Sequence, residues 1–248
     1  ALNDAYDDLE ERIEKRTADL QHALDQLSLA FEREKELNEL KTRFVSMVSH
    51  EFRTPLTSIL SSTEILSRYH DKLDIERQTR LFHVITESVQ HMISLLEDVL
   101  LFGKGEASRL IFEPQPLHPV NLCKEIVEEI RSGVRPYRHI NFSIIDPVRE
   151  AQIDAKLIRH ILSNLLTNAV KYSPDGSPVD VSLRCTDNSL IFSVSDYGIG
   201  LSKEDVAHLY EPFYRAKNVD TIPGTGLGLA IVKQSVDRHG GSIDVNSE

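Results

Sequence analysis

Neither glycine nor proline occurs anywhere from Ala1 to Thr54, so nothing in that stretch interrupts a helix. Apolar residues recur along it at heptad spacing: Leu2, Tyr6, Leu9 and Ile13, then Leu20, Ala23, Leu27, Ala30 and Leu37. The positions between them are mostly Glu, Asp, Lys, Arg and Gln, as the wet face of a coiled coil requires. Arg16, Glu34 and Lys41 fall on seam positions, while Leu24 and Phe31 offer a second seam. The coil is imperfect, and its phase drifts through the middle. The same helix is expected to run on into "FVSMVSHEFRTPLTSIL", residues 44–60.

A break is expected at "YHDKLD", residues 69–74. A second helix then spans Ile75 to Phe102, its apolar side supplied by Leu81, Phe82, Val84, Ile85, Val89, Met92, Leu95, Leu96 and Val99, with Gly103 and Gly105 ending it. Two long helices and a short loop make a helical hairpin, too thin to bury both apolar faces alone. It should pair with a second copy as a four-helix bundle.

Beyond "GKGEASRL" the texture changes. "FEPQPLHPV" reads as a proline-punctuated linker or edge strand, and "NLCKEIVEEIR" as a helix. "HINFSIID", "VDVSLRC" and "LIFSVSD" read as strands, the last two joined as a hairpin across Thr186 to Ser189. Helices are expected over Ala155–Tyr172 and from about Leu227. This mixture predicts a compact α+β domain from roughly residue 110 onward.

With 39 acidic against 28 basic residues the net charge is −11, which argues against a nucleic-acid surface. It leaves ATP open, because local donors and a metal ion can hold a nucleotide on an acidic protein. Cys123 and Cys185 lack metal-site spacing and read as buried free thiols of a reducing compartment. No apolar run approaches the ~20 residues of a membrane span. The chain begins without Met and reads as a cytoplasmic piece of a longer protein.

Four local patterns carry chemistry. Wound at the helical period, Val45, Val48, Phe52, Leu56, Ile59 and Thr63 share one sector, and His50 points away from it toward water. Thr54 and Thr57 share its outward strip. Pro55 lacks an N–H and crowds the carbonyl of Glu51, so a bend is expected beside His50. An exposed imidazole next to the Glu51 carboxylate can act as a nucleophile, although an exposed histidine is commonly just solvated. In "RHILSNLLTNAVKYSPDG", Asn164, Asn168 and Lys171 share a face with His160, and Tyr172 flanks it. Amide oxygens suit Mg²⁺ and a lysine suits phosphate, or the face is merely polar. In "SVSDYGIG", Asp196 at a strand end could accept from an exocyclic amine, with Gly198 and Gly200 admitting a flat base; a plain tight turn is the alternative. "PGTGLGLAIVKQ" puts Gly224, Gly226 and Gly228 at a helix start, a phosphate cradle or a flexible loop. It is neither a P-loop nor a dinucleotide fingerprint.

Taken in order, "SHEFRTPL", "NLLTNAVKY", "DYGIG", "EPFYR" and "GTGLGLAI" resemble the sensor histidine kinases of two-component signalling, over residues 38–248. The resemblance implies an all-α dimeric four-helix bundle with an N-terminal coiled coil, followed by an α+β ATP-binding sandwich of the gyrase and histidine-kinase type. It divides the chain into a signalling coiled-coil helix (1–37), a dimerisation and phosphotransfer hairpin (38–106) and a catalytic domain (107–248). His50 would take the phosphoryl group on Nε2, Glu51 would hold Nδ1 as general base, and Thr54 would orient water during dephosphorylation of the partner. Asn168, helped by Asn164, would ligate Mg²⁺, and Lys171 and Tyr172 would lie along the phosphates of ATP. Asp196 would read the adenine amine, with Gly198 and Gly200 beside it. Phe213 and Arg215 match the phenylalanine box, and Arg215 would stabilise charge on the γ-phosphoryl group. Gly224, Gly226 and Gly228 would close the lid.

The implied partners are a response-regulator receiver domain, a second copy of the chain and an upstream sensor module, with no nucleic acid and no membrane contact by this stretch. Domains of this kind continue past "HGGSIDVNSE" into a further glycine-containing turn and a closing strand, so either a sheet edge is left unpaired at the end or the domain is truncated at its last strand. Two other readings share these motifs: an ATPase resembling gyrase or mismatch repair, and a nucleotide-binding dimeric scaffold. The first needs a water-activating carboxylate, and "SNLLTNAVK" has none at the expected place.

Overall fold

The computed structural model describes residues 2–106, 111–133, 139–186, 189–219 and 224–247, and these fall into two units, residues 1–53 and 54–248. Helix α1 runs from Leu2 to Tyr69, so Pro55 is absorbed within a continuous helix. In the first unit the described seam residues stand uncovered: Ile13, Leu20, Leu27 and Leu37 of one phase, Leu24 and Phe31 of the other. The side chains of Leu2, Tyr6 and Leu9 lie outside the described set.

In the second unit the end of α1 turns through a short 3-10 segment (His70–Lys72) into α2, Ile75–Glu106. Asp74 starts α2, its Oδ1 accepting from the Arg77 N–H at 2.7 Å. Gly103 and Gly105 do not end this helix, which continues to Glu106. Each glycine costs the helix only about 1 kcal/mol, and the turn before them is anchored by Phe102, which is 3% exposed. The apolar sector expected on α1 divides in two in the single chain. Val45 and Leu56 are more than half exposed, whereas Pro55 and Ser62 are buried and Ile59 and Leu66 half-buried. Positions 55, 59, 62 and 66 therefore form the covered stripe, and Leu56 and Leu60 belong to a second, open one.

Helix α2 is likewise buried on one stripe, at Leu95 and Phe102, while Leu96 and Leu100 stand open. Asp98 sits between these two anchors. Its carboxyl is pushed up to about 6, first by burial and then by the charge of Glu97. A folded-state value above the unfolded one means that the folded state binds more protons in that window. The contribution of Asp98 to stability is then full below about pH 4 and lost as the pH rises through 6. Asp98→Asn is expected to raise the thermal unfolding midpoint at pH 8 and to leave it unchanged at pH 4. A midpoint unchanged at pH 8 would show that the ionised carboxylate is not penalised there.

The α/β part is built from β1 (Gln115–Leu117), α3 (Pro119–Gly133), β2 (Ile140–Ile144), β3 (Ala151–Ile153), α4 (Ala155–Tyr172), β4 (Val179–Cys185), β5 (Leu190–Ser195), α5 (Lys203–His208) and α6 (Gly228–Arg238). Strand β1 settles the open reading of "FEPQPLHPV" as an edge strand, paired antiparallel with β3. The main sheet has the order β2-β4-β5, with β2 parallel and β5 antiparallel to β4. Val179, Val181 and Leu183 alternate inward from β4 onto a core shared with Ile126, Leu162 and Leu166. Among the described residues β5 is a sheet edge, and residues 241–247 form no strand. Cys123 is a buried free thiol, whereas Cys185 is only half-buried. No helix among the described residues is long and apolar enough to cross a membrane.

Helix α4 is fixed at its N-terminus by the buried Asp154. One carboxylate oxygen accepts from the N–H groups of Lys156 and Leu157, and the other accepts from the Glu113 N–H. The Asp154 N–H donates in turn to Nε2 of His239 at 3.1 Å, which ties the end of α6 to the start of α4. Leu157, Ile158, Ile161, Leu162, Leu166 and Ala169 face the core, leaving the Asn164 and Lys171 side for chemistry.

Candidate active site

His50 is open, with 73% of its side chain exposed and its Nδ1 3.8 Å from Oε1 of Glu51, whose side chain is 13% exposed. A largely covered carboxylate beside an open imidazole can orient the ring by attracting the proton on Nδ1. Both residues belong to the first unit, and Thr54, exposed, opens the second.

The second unit gathers the remaining residues around α4. The Asn164 amide donates from Nδ2 to the His160 carbonyl at 3.0 Å. Its Oδ1 is turned toward the glycine loop, where a Cβ on Gly228 would fall 2.3 Å from it. That orientation leaves a hard oxygen donor facing the loop, which suits a Mg²⁺ ion. Asn168 lies one turn further on, half-buried. Lys171 places Nζ 5.1 Å from the Tyr172 ring centroid and 3.0 Å from where a Gly224 Cβ would stand. Burial pushes the Tyr172 hydroxyl up, and the nearby charge of Arg215 opposes that shift. Arg215 donates to the Val219 carbonyl at 2.7 Å. Burial pulls His160 down, opposed by the charges of Glu97 and Asp154.

Asp196 stands exposed at the end of β5, and its Oδ1 accepts from the Gly198 N–H at 2.8 Å. A Cβ on Gly198 would lie 2.6 Å from that oxygen and 3.0 Å from the Tyr172 carbonyl, so the turn packs against the end of α4 only because the residue is glycine. The Ile199 N–H donates to the same carbonyl. Gly200, at φ 67°, accepts from Asn218 Nδ2 at 3.2 Å.

Two features of this site were not anticipated from the sequence. Phe213 has φ 68°, the only positive value among the described non-glycine residues. Its N–H donates to the Gly226 carbonyl at 3.0 Å, which clasps the "EPFYR" turn to the glycine loop. The second feature is the foot of that turn. Tyr214 donates its hydroxyl to Asp205 Oδ1 at 2.8 Å, and Asp205 is held in a capping box with Ser202 at the start of α5. The pattern "SKED" carried that signal.

An amide-bearing helix closed over by a glycine loop, with a carboxylate turn at its end, defines an ATP-binding domain of the type shared by histidine kinases and DNA gyrase B. Residues 153–248 match the histidine kinase-, DNA gyrase B- and HSP90-like ATPase family. Residues 40–108 match the His Kinase A (phospho-acceptor) domain. The chain belongs to the sensor histidine kinases. It is 35% identical over 221 residues to the sensor histidine kinase WalK of Bacillus subtilis, covering 86% of this chain and 36% of WalK. It is 32% identical over 254 residues to the circadian input-output histidine kinase CikA of Synechococcus elongatus, covering 99% of this chain and 32% of CikA. Full-length ShkA, solved in complex with AMPPNP, superposes with TM-score 0.57 at 28% identity, covering 79% of this chain and 41% of ShkA. The chain thus spans about a third to two fifths of these relatives.

Proposed function

We infer that this chain is the kinase core of a two-component sensor, which phosphorylates its own His50 from ATP and passes the group to a response-regulator aspartate. The observation that carries this reading is the open His50 beside a covered Glu51, in a chain that also holds the glycine loop closed on Asn164 and Lys171. The lone pair of Nε2 attacks the γ-phosphorus, the bond from that phosphorus to the bridging oxygen breaks, and ADP leaves. The imidazolium that results gives up its Nδ1 proton to Glu51. Arg215 supplies positive charge to the γ-phosphoryl group as it transfers. Lys171 and Tyr172 lie along the phosphates, Asp196 accepts from the adenine amine, and Gly198 and Gly200 let the base approach.

Asn164 and Asn168 would hold Mg²⁺, which when bound neutralises phosphate charge. Thr54, outside the attack itself, orients water when the same protein dephosphorylates its partner. The open stripe with Leu56 and Leu60 on α1, and Leu96 and Leu100 on α2, supports pairing with a second copy into a four-helix bundle. The same holds for the uncovered heptad seam, which would receive its signal from an upstream sensor module. The ATPase reading is not favoured, because the Asn164–Lys171 stretch carries no carboxylate to activate water.

The test is incubation with γ-labelled ATP and Mg²⁺. Label on the protein that resists base and is lost in acid marks a phosphoramidate, whereas free phosphate alone means an ATPase. Asn168→Asp is expected to lose that labelling, since an added charge and a changed donor disturb the metal's place. Labelling of this variant at the parental rate would remove Asn168 from the metal site.

A further inference from the structure

We propose that Phe102, at the end of α2, is a positioning residue for the nucleotide lid and acts through Phe213. This rests on the assignment of the glycine loop as part of the ATP site. The Phe102 ring meets that of Phe213 edge to face, with centroids 5.7 Å apart and planes at 70°. Phe213 holds a left-handed backbone that a bulky residue adopts only under constraint, and the stacked ring is such a constraint. From that backbone the N–H reaches the Gly226 carbonyl, and Gly226 sits so close that a Cβ would lie 2.8 Å from the Phe213 carbonyl carbon and from the Tyr214 oxygen. Gly226 also lies midway between Gly224, packed under Lys171, and Gly228, packed on Asn164.

A continuous series of contacts therefore runs from the buried Phe102 of α2 to the loop that covers α4. In this series Phe102 meets Phe213. Its ring orders the Phe213 turn, and the turn holds the loop in the shape that receives phosphate. Without the ring, one restraint on the strained Phe213 conformation is lost, and the loop relies more on the nucleotide for its order. An edge-to-face pair is worth up to about 1.5 kcal/mol beyond its area, so the expected loss of affinity is about three- to tenfold.

The experiment compares the parent with Phe102→Tyr, Phe102→Leu and Phe213→Leu. Each is titrated with a fluorescent ATP analogue, assayed for KM and kcat of autophosphorylation, and melted. Phe102→Leu should weaken analogue binding and raise KM by that factor, with kcat at saturating ATP close to the parent, and Phe102→Tyr should restore parental values. The double Leu variant should bind no more weakly than the worse single one, because both changes remove the same ring pair. Should Phe102→Leu fail to fold, Phe213→Leu and the Tyr variant carry the comparison from the other side. Parental affinity in Phe102→Leu, or additive losses in the double variant, would overturn the proposal. Asn168→Asp run alongside separates the two levels: if it labels normally the site assignment itself fails, whereas its loss with unchanged Phe102 variants sinks only the positioning role.

Discussion

His50→Gln is expected to abolish transfer of label from γ-labelled ATP to the protein, while nucleotide affinity stays within about twofold of the parent, the range of a surface substitution away from the site. Glutamine keeps a polar, hydrogen-bonding side chain at this open position but offers no ring nitrogen whose lone pair can attack phosphorus. With 73% of its side chain exposed, His50 makes little packing that its removal could disturb. The loss should therefore appear in chemistry rather than in stability. An unchanged melting curve, unchanged analogue binding and absent label together are the expected pattern. The chain contains ten histidines, so the control is informative: label surviving on the variant would move the acceptor elsewhere, with His22 and His70 the nearest along the chain. Glu51→Gln makes a useful companion, because it keeps the side-chain volume of a residue only 13% exposed and removes the charge that faces Nδ1.

How much of this was legible beforehand depended on whether a signal was local. Helix α4 was readable because its apolar side repeats at helical spacing up to Ala169, and the structure adds the Asp154 cap at its start. The β4–β5 hairpin was readable from alternation alone. Strand β3 was not, since three residues cannot display a period, and its identity comes from pairing with β1 some 36 positions earlier. The end of α2 was misjudged because two glycines read as a stop, while the burial that overrides them comes from the α/β part of the chain. On α1, apolar residues serve two stripes at once. The sequence pattern could not tell the stripe that packs within the chain, at positions 55, 59, 62 and 66, from the one left open. The site shows the same division. Its motifs were visible one by one, each with an ordinary alternative. The contacts that join them, Gly226 to Phe213 and Phe213 to Phe102, link positions 13 and 111 residues apart. Nothing in "EPFYR" announces a phenylalanine with positive φ, because aromatic residues rarely adopt it.

Gly226→Ala is expected to weaken binding of an ATP analogue by at least about tenfold, more than alanine at either neighbouring lid glycine. Two costs coincide at this position. The backbone is left-handed, φ 67°, which costs a residue with a Cβ about 1 kcal/mol or more. The added atom would also stand 2.8 Å from the Phe213 carbonyl carbon and the Tyr214 oxygen, and backbone cannot swing aside as a side chain can. Together they exceed the 1.4 kcal/mol that corresponds to a factor of about ten. At Gly224 the nearest atom is Nζ of Lys171, the far end of a flexible side chain, so Gly224→Ala should cost least. Gly228→Ala should fall between, since it must displace the Asn164 side chain and with it the oxygen turned toward the loop. Gly240 provides the control for strain without collision: its φ is 69°, yet nothing lies within 4 Å of the Cβ it lacks. Gly240→Ala should lower the unfolding midpoint slightly and leave analogue affinity alone. If Gly226→Ala behaves like Gly240→Ala in both measurements, the loop does not depend on its clasp with the Phe213 turn. Nucleotide binding would then have to be ordered by parts of the site other than this clasp.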